Sequence, residues 1–168
     1  MKTAIIYYSH DGNCALIAET LKIELNADVF RIETLDDKKR KGIFLMFWGG
    51  GQVFRGIKPP LKPLSVDINA YDLIILGTPV WAGSPTPAIA SFLDKNSITG
   101  KKIALFCCHG GGKGKALDKL LALLSGNTVI GGIDFVYPAK ADKAGIKQKL
   151  SEWAKTLNNE LTHISSMN

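Results

Sequence analysis

The residues best suited by type and spacing to do chemistry are the run Ser9-His10-Asp11-Gly12-Asn13-Cys14. Before it, Lys2 to Tyr8 is a β-branched and aromatic run that reads as a buried strand. After it, Ile17, Ala18, Leu21 and Leu25 fall at helical spacing, so Asn13 to Leu25 reads as a helix with one apolar stripe. A strand that stops in a small polar turn and opens into a helix leaves backbone N–H groups unpaired. The helix dipole adds to them, and together they suit an anion, most often a phosphate. Gly12 lets the backbone come close to a ligand, and Ser9 and Asn13 can add side-chain donors. The same residues also suit an ordinary strand-to-helix turn capped by Asp11 or Asn13.

Two more loops have chemical content. Thr78-Pro79-Val80-Trp81-Ala82-Gly83-Ser84 places a tryptophan just after an apolar run, and Cys107-Cys108-His109-Gly110-Gly111-Gly112-Lys113 ends another in glycines. Trp81 can offer a stacking face to a planar ligand or simply fill space between loop and sheet. His109 can hydrogen-bond a ligand rim or be solvated. Cys107 and Cys108 can be redox-active, or can end a buried strand with one side chain on each face. No metal-ligand spacing and no nucleophilic triad is present.

The elements that must position these loops alternate strand and helix along the chain. Ala27 to Glu33 reads as an edge strand and Tyr71 to Leu76 as a central one, followed by a helix over Pro85 to Leu93. Lys102 to Cys108 is a fourth strand, Ala116 to Leu124 a strongly apolar helix, and Thr128 to Tyr137 a fifth strand broken at Gly131-Gly132. Asp142 to Leu157 closes the pattern as an amphipathic helix. The expectation is an α/β domain over residues 1–158 and a tail over 159–168. Its five-stranded parallel sheet is covered by helices on both faces. In such a sheet ligands bind beyond the carboxyl ends of the strands, where all three loops lie. A phosphate turn, a tryptophan and a glycine-rich loop on one edge suit a phosphorylated planar aromatic ligand.

Ser9 to Cys14 resembles the flavodoxin phosphate loop, commonly Ser/Thr-x-Thr-Gly-Asn-Thr, and Gly77-Thr78-Pro79-Val80-Trp81 resembles that family's flavin-flanking Gly-x-Pro-x-Trp segment. Gly100 to Gly112 lies where the family's third flavin loop lies. The resemblance runs through Leu157. It implies bound FMN, a flavodoxin-like three-layer sandwich of short-chain type with strand order 2-1-3-4-5, and electron transfer between redox enzymes. By the same resemblance the FMN-binding residues are Ser9, His10, Asp11, Gly12, Asn13 and Cys14, then Thr78, Pro79, Val80, Trp81, Ala82 and Gly83, and Cys108, His109, Gly110, Gly111 and Gly112. An FMN-dependent oxidoreductase acting directly on a quinone, flavin or porphyrin-like substrate is the alternative. Two departures stand out: Asp11 and Cys14 replace the family's threonines, and the third loop lacks the aromatic that covers the second flavin face. A signalling receiver domain shares the topology but needs an aspartate at the end of the third strand, where Leu76-Gly77-Thr78 stands.

Charge adds a partner. The 168 residues carry a net +6, yet residues 38–62 hold seven basic residues and no acidic one. The remainder has 14 basic against 15 acidic residues, a net of −1. Aromatic residues Phe44, Phe47, Trp48 and Phe54 interleave with those charges. Lys38 to Lys62 is therefore expected either to dock an acidic redox partner or an anionic surface, or to be a solvated face over the sheet edge. No motif supports nucleic-acid binding. No apolar run has the length of a membrane span, no signal peptide is expected, and three cysteines make no disulfide framework, so the expected setting is the cytoplasm. The protein is expected as a monomer or homodimer.

Overall fold

The computed structural model describes residues 2–36 and 49–166; Lys38 to Lys41 and the apolar run 43–48 lie outside them. Strands β1 (Thr3–Tyr8), β2 (Asp28–Ile32), β3 (Leu73–Trp81), β5 (Lys102–His109) and β6 (Thr128–Val136) form a parallel sheet in the order β2-β1-β3-β5-β6. The expected order of the five long strands is thus observed. A two-residue strand, β4 (Ser84–Pro85), adds an antiparallel pairing to the end of β3. Helices α1 (Asn13–Leu25) and α4 (Lys143–Ser166) cover one face, and α2 (Pro87–Lys95) and α3 (Ala116–Ala122) the other.

Strict alternation along the central strands divides the core in two. Ile5, Tyr7, Leu73, Ile75, Ala104, Phe106 and Cys108 pack with Ile17 and Leu21 of α1 and Leu150 and Leu157 of α4. Ala4, Ile6, Tyr8, Ile74, Leu76, Ile103 and Leu105 pack with Ile89 and Phe92 of α2 and Leu120 of α3. All six residues of β1 are buried, as a strand covered on both faces requires.

Four expectations change. β3 does not stop at Leu76 but runs on to Trp81, because β5 pairs with it as far as Pro79↔Cys108. Gly77 therefore lies inside the strand, where a Cβ would stand 2.0 Å from Phe106 Cζ; the glycine makes room for that ring. β6 is continuous through Gly131-Gly132, with a bulge opposite Ile103/Ala104 in place of a break. The leucine-rich helix is only half inserted: Leu120 is buried while Leu121 and Leu123 are 45% and 51% exposed. The tail expected over 159–168 is helical in its described part, since α4 reaches Ser166 and Leu161 is buried. Leu150, Ala154, Leu157 and Leu161 continue one stripe at three- and four-residue spacing, which holds the last turns against the sheet. Of the irregular segment, residues 49–54 are helical and Thr34 bridges to Leu61.

Candidate functional site

The carboxyl ends of β1, β3 and β5 bring the three loops to one edge of the sheet. At the first, Gly12 takes φ 91° as the residue before α1, a conformation glycine adopts without cost, and no side chain caps the helix from that position. The Asp11 carboxylate instead folds over the turn, accepting from the Asn13 backbone N–H (3.1 Å) and from Asn13 Nδ2 (2.7 Å). Ser9 Oγ accepts from the Ala15 N–H at 3.3 Å, and the Ser9 carbonyl accepts from Arg31 at 3.1 Å. A Cβ at Gly12, Gly111 or Gly112 would meet nothing within 4 Å, so the backbone lies open at both the first and third loops. That open backbone at a helix N-terminus fits a phosphate, and the glycines opposite fit the rim of a flat ring. The carboxylate of Asp11 is the one part of the turn that opposes an anion.

Cys14 does not face this cradle. Its side chain is fully buried and packs with Cys108 in the first core. Burial first, and then the Cys108 thiol beside it, push its pKa well above the ordinary value, so it is a neutral thiol. Cys108 is likewise a core side chain, and only the backbone of either residue can touch a ligand. Burial also raises the Cys107 thiol, to about 12, with Asp134 adding to the effect.

The second loop is a hairpin. Trp81 pairs with Ser84 across Ala82 (φ 48°) and Gly83 (φ 66°), two successive left-handed residues that suit a two-residue hairpin turn. Thr78 is fully buried; its hydroxyl accepts from the Thr86 N–H (3.0 Å) and donates to the Pro79 carbonyl (2.9 Å). It ties the hairpin to the start of α2 and offers no side-chain contact to a ligand. Trp81 meets Tyr8 and His10 edge-on, at 6.1 and 5.9 Å between ring centroids. A Cβ at Gly49 would stand 2.9 Å from Trp81 Cε3, so the backbone of the segment before β3 lies against the six-membered ring. Of the two faces of the Trp81 ring, the one against Gly49 is thus closed to a stacking ligand.

The third loop is locked from behind. The His109 side chain is 6% exposed, with Nε2 3.1 Å from Asp134 Oδ2 and Nδ1 accepting from the Gly111 N–H at 3.3 Å. That pattern assigns the proton of a neutral ring to Nε2. Lys113 Nζ binds the other Asp134 oxygen at 2.7 Å. The Lys113 hydrogen bond holds the Asp134 carboxyl below the ordinary value, with His109 contributing. His109 is thus a support of the loop. Gly114 approaches Gly83 so closely that a Cβ would stand 2.7 Å from Gly83 Cα, and the Lys115 N–H donates to the Gly83 carbonyl at 3.2 Å. The second and third loops are joined there.

A fourth loop, after β6, was not singled out from the sequence. The Ala139 N–H donates to Asn13 Oδ1 at 2.9 Å, and the Tyr137 hydroxyl lies over Gly110, where a Cβ would stand 2.2 Å from it. Asp134 was also missed. The sequence signal for both was the place of Asp134 to Lys140 at the end of the fifth strand, on the same edge as the other loops. Among the described residues no group of three or more His, Cys, Asp or Glu could hold a metal ion. No helix among them is long and apolar enough to cross a membrane.

The family model for NADPH-dependent FMN reductase matches residues 1–142, a span that takes in all three loops expected from the sequence. An uncharacterized protein of Methanocaldococcus jannaschii is 32% identical over 111 residues, which is 66% of this chain and 55% of that protein. The chain thus spans about half the length of that curated relative. A flavoprotein of Lactobacillus acidophilus, crystallised in complex with FMN, is 25% identical with a TM-score of 0.70, covering 84% of this chain and 97% of its own. Oxidised flavodoxin 1 of Bacillus cereus is 19% identical with a TM-score of 0.58 over 95% and 98% of the two chains, a likeness of fold. The chain belongs to the NADPH-dependent FMN reductase family, a flavodoxin-like, FMN-binding family.

Proposed function

We propose that the protein is an FMN-bound oxidoreductase that takes reducing equivalents from a reduced nicotinamide cofactor and passes them to a small flavin- or quinone-like acceptor. The observation that carries this reading is the family match over residues 1–142, which includes the three loops gathered on one sheet edge. Bound FMN would supply the redox chemistry, accepting a hydride and releasing two electrons. The chain's own residues bind and orient it. The phosphate would sit at the start of α1, taking over the Asn13 and Ala15 N–H groups that the Asp11 carboxylate and the Ser9 hydroxyl hold in its absence, with Gly12 allowing the close approach. Trp81, with His10 edge-on against it, would offer the ring a stacking face, and the open backbone at Gly111 and Gly112 would take its polar rim. Residues Pro79, Val80, Ala82 and Gly83 shape the hairpin that presents Trp81. The third loop carries no aromatic of its own; the Tyr137 hydroxyl reaches it over Gly110, and a nicotinamide or an acceptor would approach at Gly111 and Gly112, where the backbone is open.

A second reading is an electron carrier between redox enzymes, and the basic stretch favours it. Its described part holds Arg55, Lys58 and Lys62; Lys58 pairs with Asp94 at 2.6 Å and Lys62 with Glu33 at 2.7 Å. The carrier would dock an acidic partner through that stretch, and its rate would fall with salt.

One experiment separates the two. The FMN-loaded protein is mixed anaerobically with NADPH, with no second protein present, and the flavin absorbance is followed. Rapid bleaching, followed by recovery on adding free flavin or a quinone, supports the enzyme. No bleaching by NADPH, in a sample that dithionite reduces fully, refutes it and leaves the carrier.

A further inference from the structure

The buried His109 ring has a partner on each nitrogen, and the two contacts respond oppositely to a proton. Nε2 lies 3.1 Å from Asp134 Oδ2, and Nδ1 accepts from the Gly111 N–H at 3.3 Å. Only a neutral imidazole can accept; the imidazolium has two donors and no acceptor. On protonation Nε2–H still donates to the Asp134 carboxylate, and more strongly once the ring is charged. Nδ1, however, becomes a donor aimed at another donor, and the Gly111 N–H has to leave it.

The rest of the group can stay as it is. Lys113 keeps the other Asp134 oxygen at 2.7 Å, and the Tyr137 N–H keeps the His109 carbonyl at 2.9 Å. Gly111 stands between two glycines, so its peptide can turn at little steric cost. The charges around the ring come from several elements. Asp134 of β6 is in contact, Lys113 of the loop lies behind it, and Asp118 of α3 acts on Lys113. Lys149 of α4 donates to the Asp134 carbonyl at 2.8 Å, and Cys107, two residues back on β5, is a neutral thiol. A Cβ at Gly111 or Gly112 would meet nothing within 4 Å, so the backbone that His109 holds is also the open backbone of the loop.

We propose that His109 is a positioning residue for the flavin ring. Its neutral form draws the Gly111 N–H back and holds the loop in shape for the ring's polar rim; protonation releases that N–H and loosens the flavin. This rests on the FMN-binding reading of the three loops. The flavin-free full-length chain is titrated with riboflavin from about pH 8 down to about pH 5, the range in which imidazoles titrate. Riboflavin is the probe because the FMN phosphate itself titrates at about pH 6. Affinity should be full at the upper end, where the ring is neutral, and fall about fivefold toward the lower, the scale of one neutral hydrogen bond. His109→Asn, whose amide oxygen can stand in for Nδ1 and does not titrate, should keep the upper affinity at every pH. Asp134→Asn removes the charge that favours the imidazolium, so the step should move to lower pH. His10→Gln removes the imidazole beside Trp81 and should leave the step in place. A riboflavin affinity that does not change with pH overturns the proposal, as does a step that survives in His109→Asn or vanishes in His10→Gln. If His109→Asn does not fold, a long-range proton–nitrogen NMR spectrum of the wild-type imidazoles decides. Nδ1 of His109 gaining its proton over the same pH range as the affinity step supports the proposal, and a neutral ring already protonated on Nδ1 overturns it. Wild-type protein that binds neither riboflavin nor FMN at any pH overturns the flavin site itself, a distinguishable failure.

Discussion

Asp11 is the residue whose replacement tests the cofactor site most directly. Its carboxylate accepts two hydrogen bonds from Asn13 at the mouth of the turn that should hold a phosphate. Asp11→Asn keeps the shape and an oxygen for the Asn13 N–H, and removes the charge. A phosphate carries about −1.5 to −2 at neutral pH. One pair of unit charges about 4 Å apart is worth about 1 kcal/mol in water and more near a protein surface. Asp11 is exposed, so the aqueous end of that range applies, and salt screens it further. Removing the repulsion should tighten FMN by about 1–2 kcal/mol, or about five- to thirtyfold. The ligand-free protein should melt slightly lower, because a neutral amide accepts the Asn13 bonds more weakly than a carboxylate does. The assay is quenching of flavin fluorescence on titration with protein, at two ionic strengths, with riboflavin as the uncharged control. FMN affinity that stays the same or falls, or riboflavin affinity that rises in step, would show that no phosphate sits beside Asp11.

Trp81→Ala should weaken flavin binding by about 1–3 kcal/mol, and because the ring also packs on the second core the melt should fall as well; a lower melt with unchanged flavin affinity would make Trp81 a core residue only. Thr78→Val leaves the buried Thr86 N–H without its acceptor and should cost about 1–3 kcal/mol in denaturant unfolding, with little change in flavin affinity per folded molecule. Asp134 has a folded pKa below the ordinary 3.8, so its contribution to stability is present above the unfolded value and is lost as pH falls through the folded one. Asp134→Asn should therefore flatten the acid side of the stability–pH curve, and an identical curve in the variant refutes the His109–Asp134–Lys113 arrangement. Burial pushes the Cys107 thiol up to about 12, so under native conditions it should react with an alkylating reagent far more slowly than in denaturant, as read by mass spectrometry. Equal rates would contradict its burial.

Patterns that are local in the chain were legible without coordinates. The run Thr3 to Tyr8, the polar turn after it and the stripe Ile17, Ala18, Leu21 each depend on residues a few positions apart, and each proved to be strand, turn and helix. The strand–helix alternation then led to a parallel sheet, and the three loops fell on one edge because parallel strands all end on the same side. What the side chains in those loops do was decided by the tertiary structure. Cys14 turns into the core because Cys108, from a strand two places across the sheet, packs against it. Thr78 is held by Thr86 across a hairpin, His109 by Asp134 from the neighbouring strand, and Gly110 is overlain by Tyr137. Each of these contacts is set by strand register and loop approach. A one-residue slip would reverse which face a side chain takes, and no periodicity within either segment encodes that register. The chain determined which backbone turns meet at the edge; packing between strands decided which of their side chains are left to meet a cofactor.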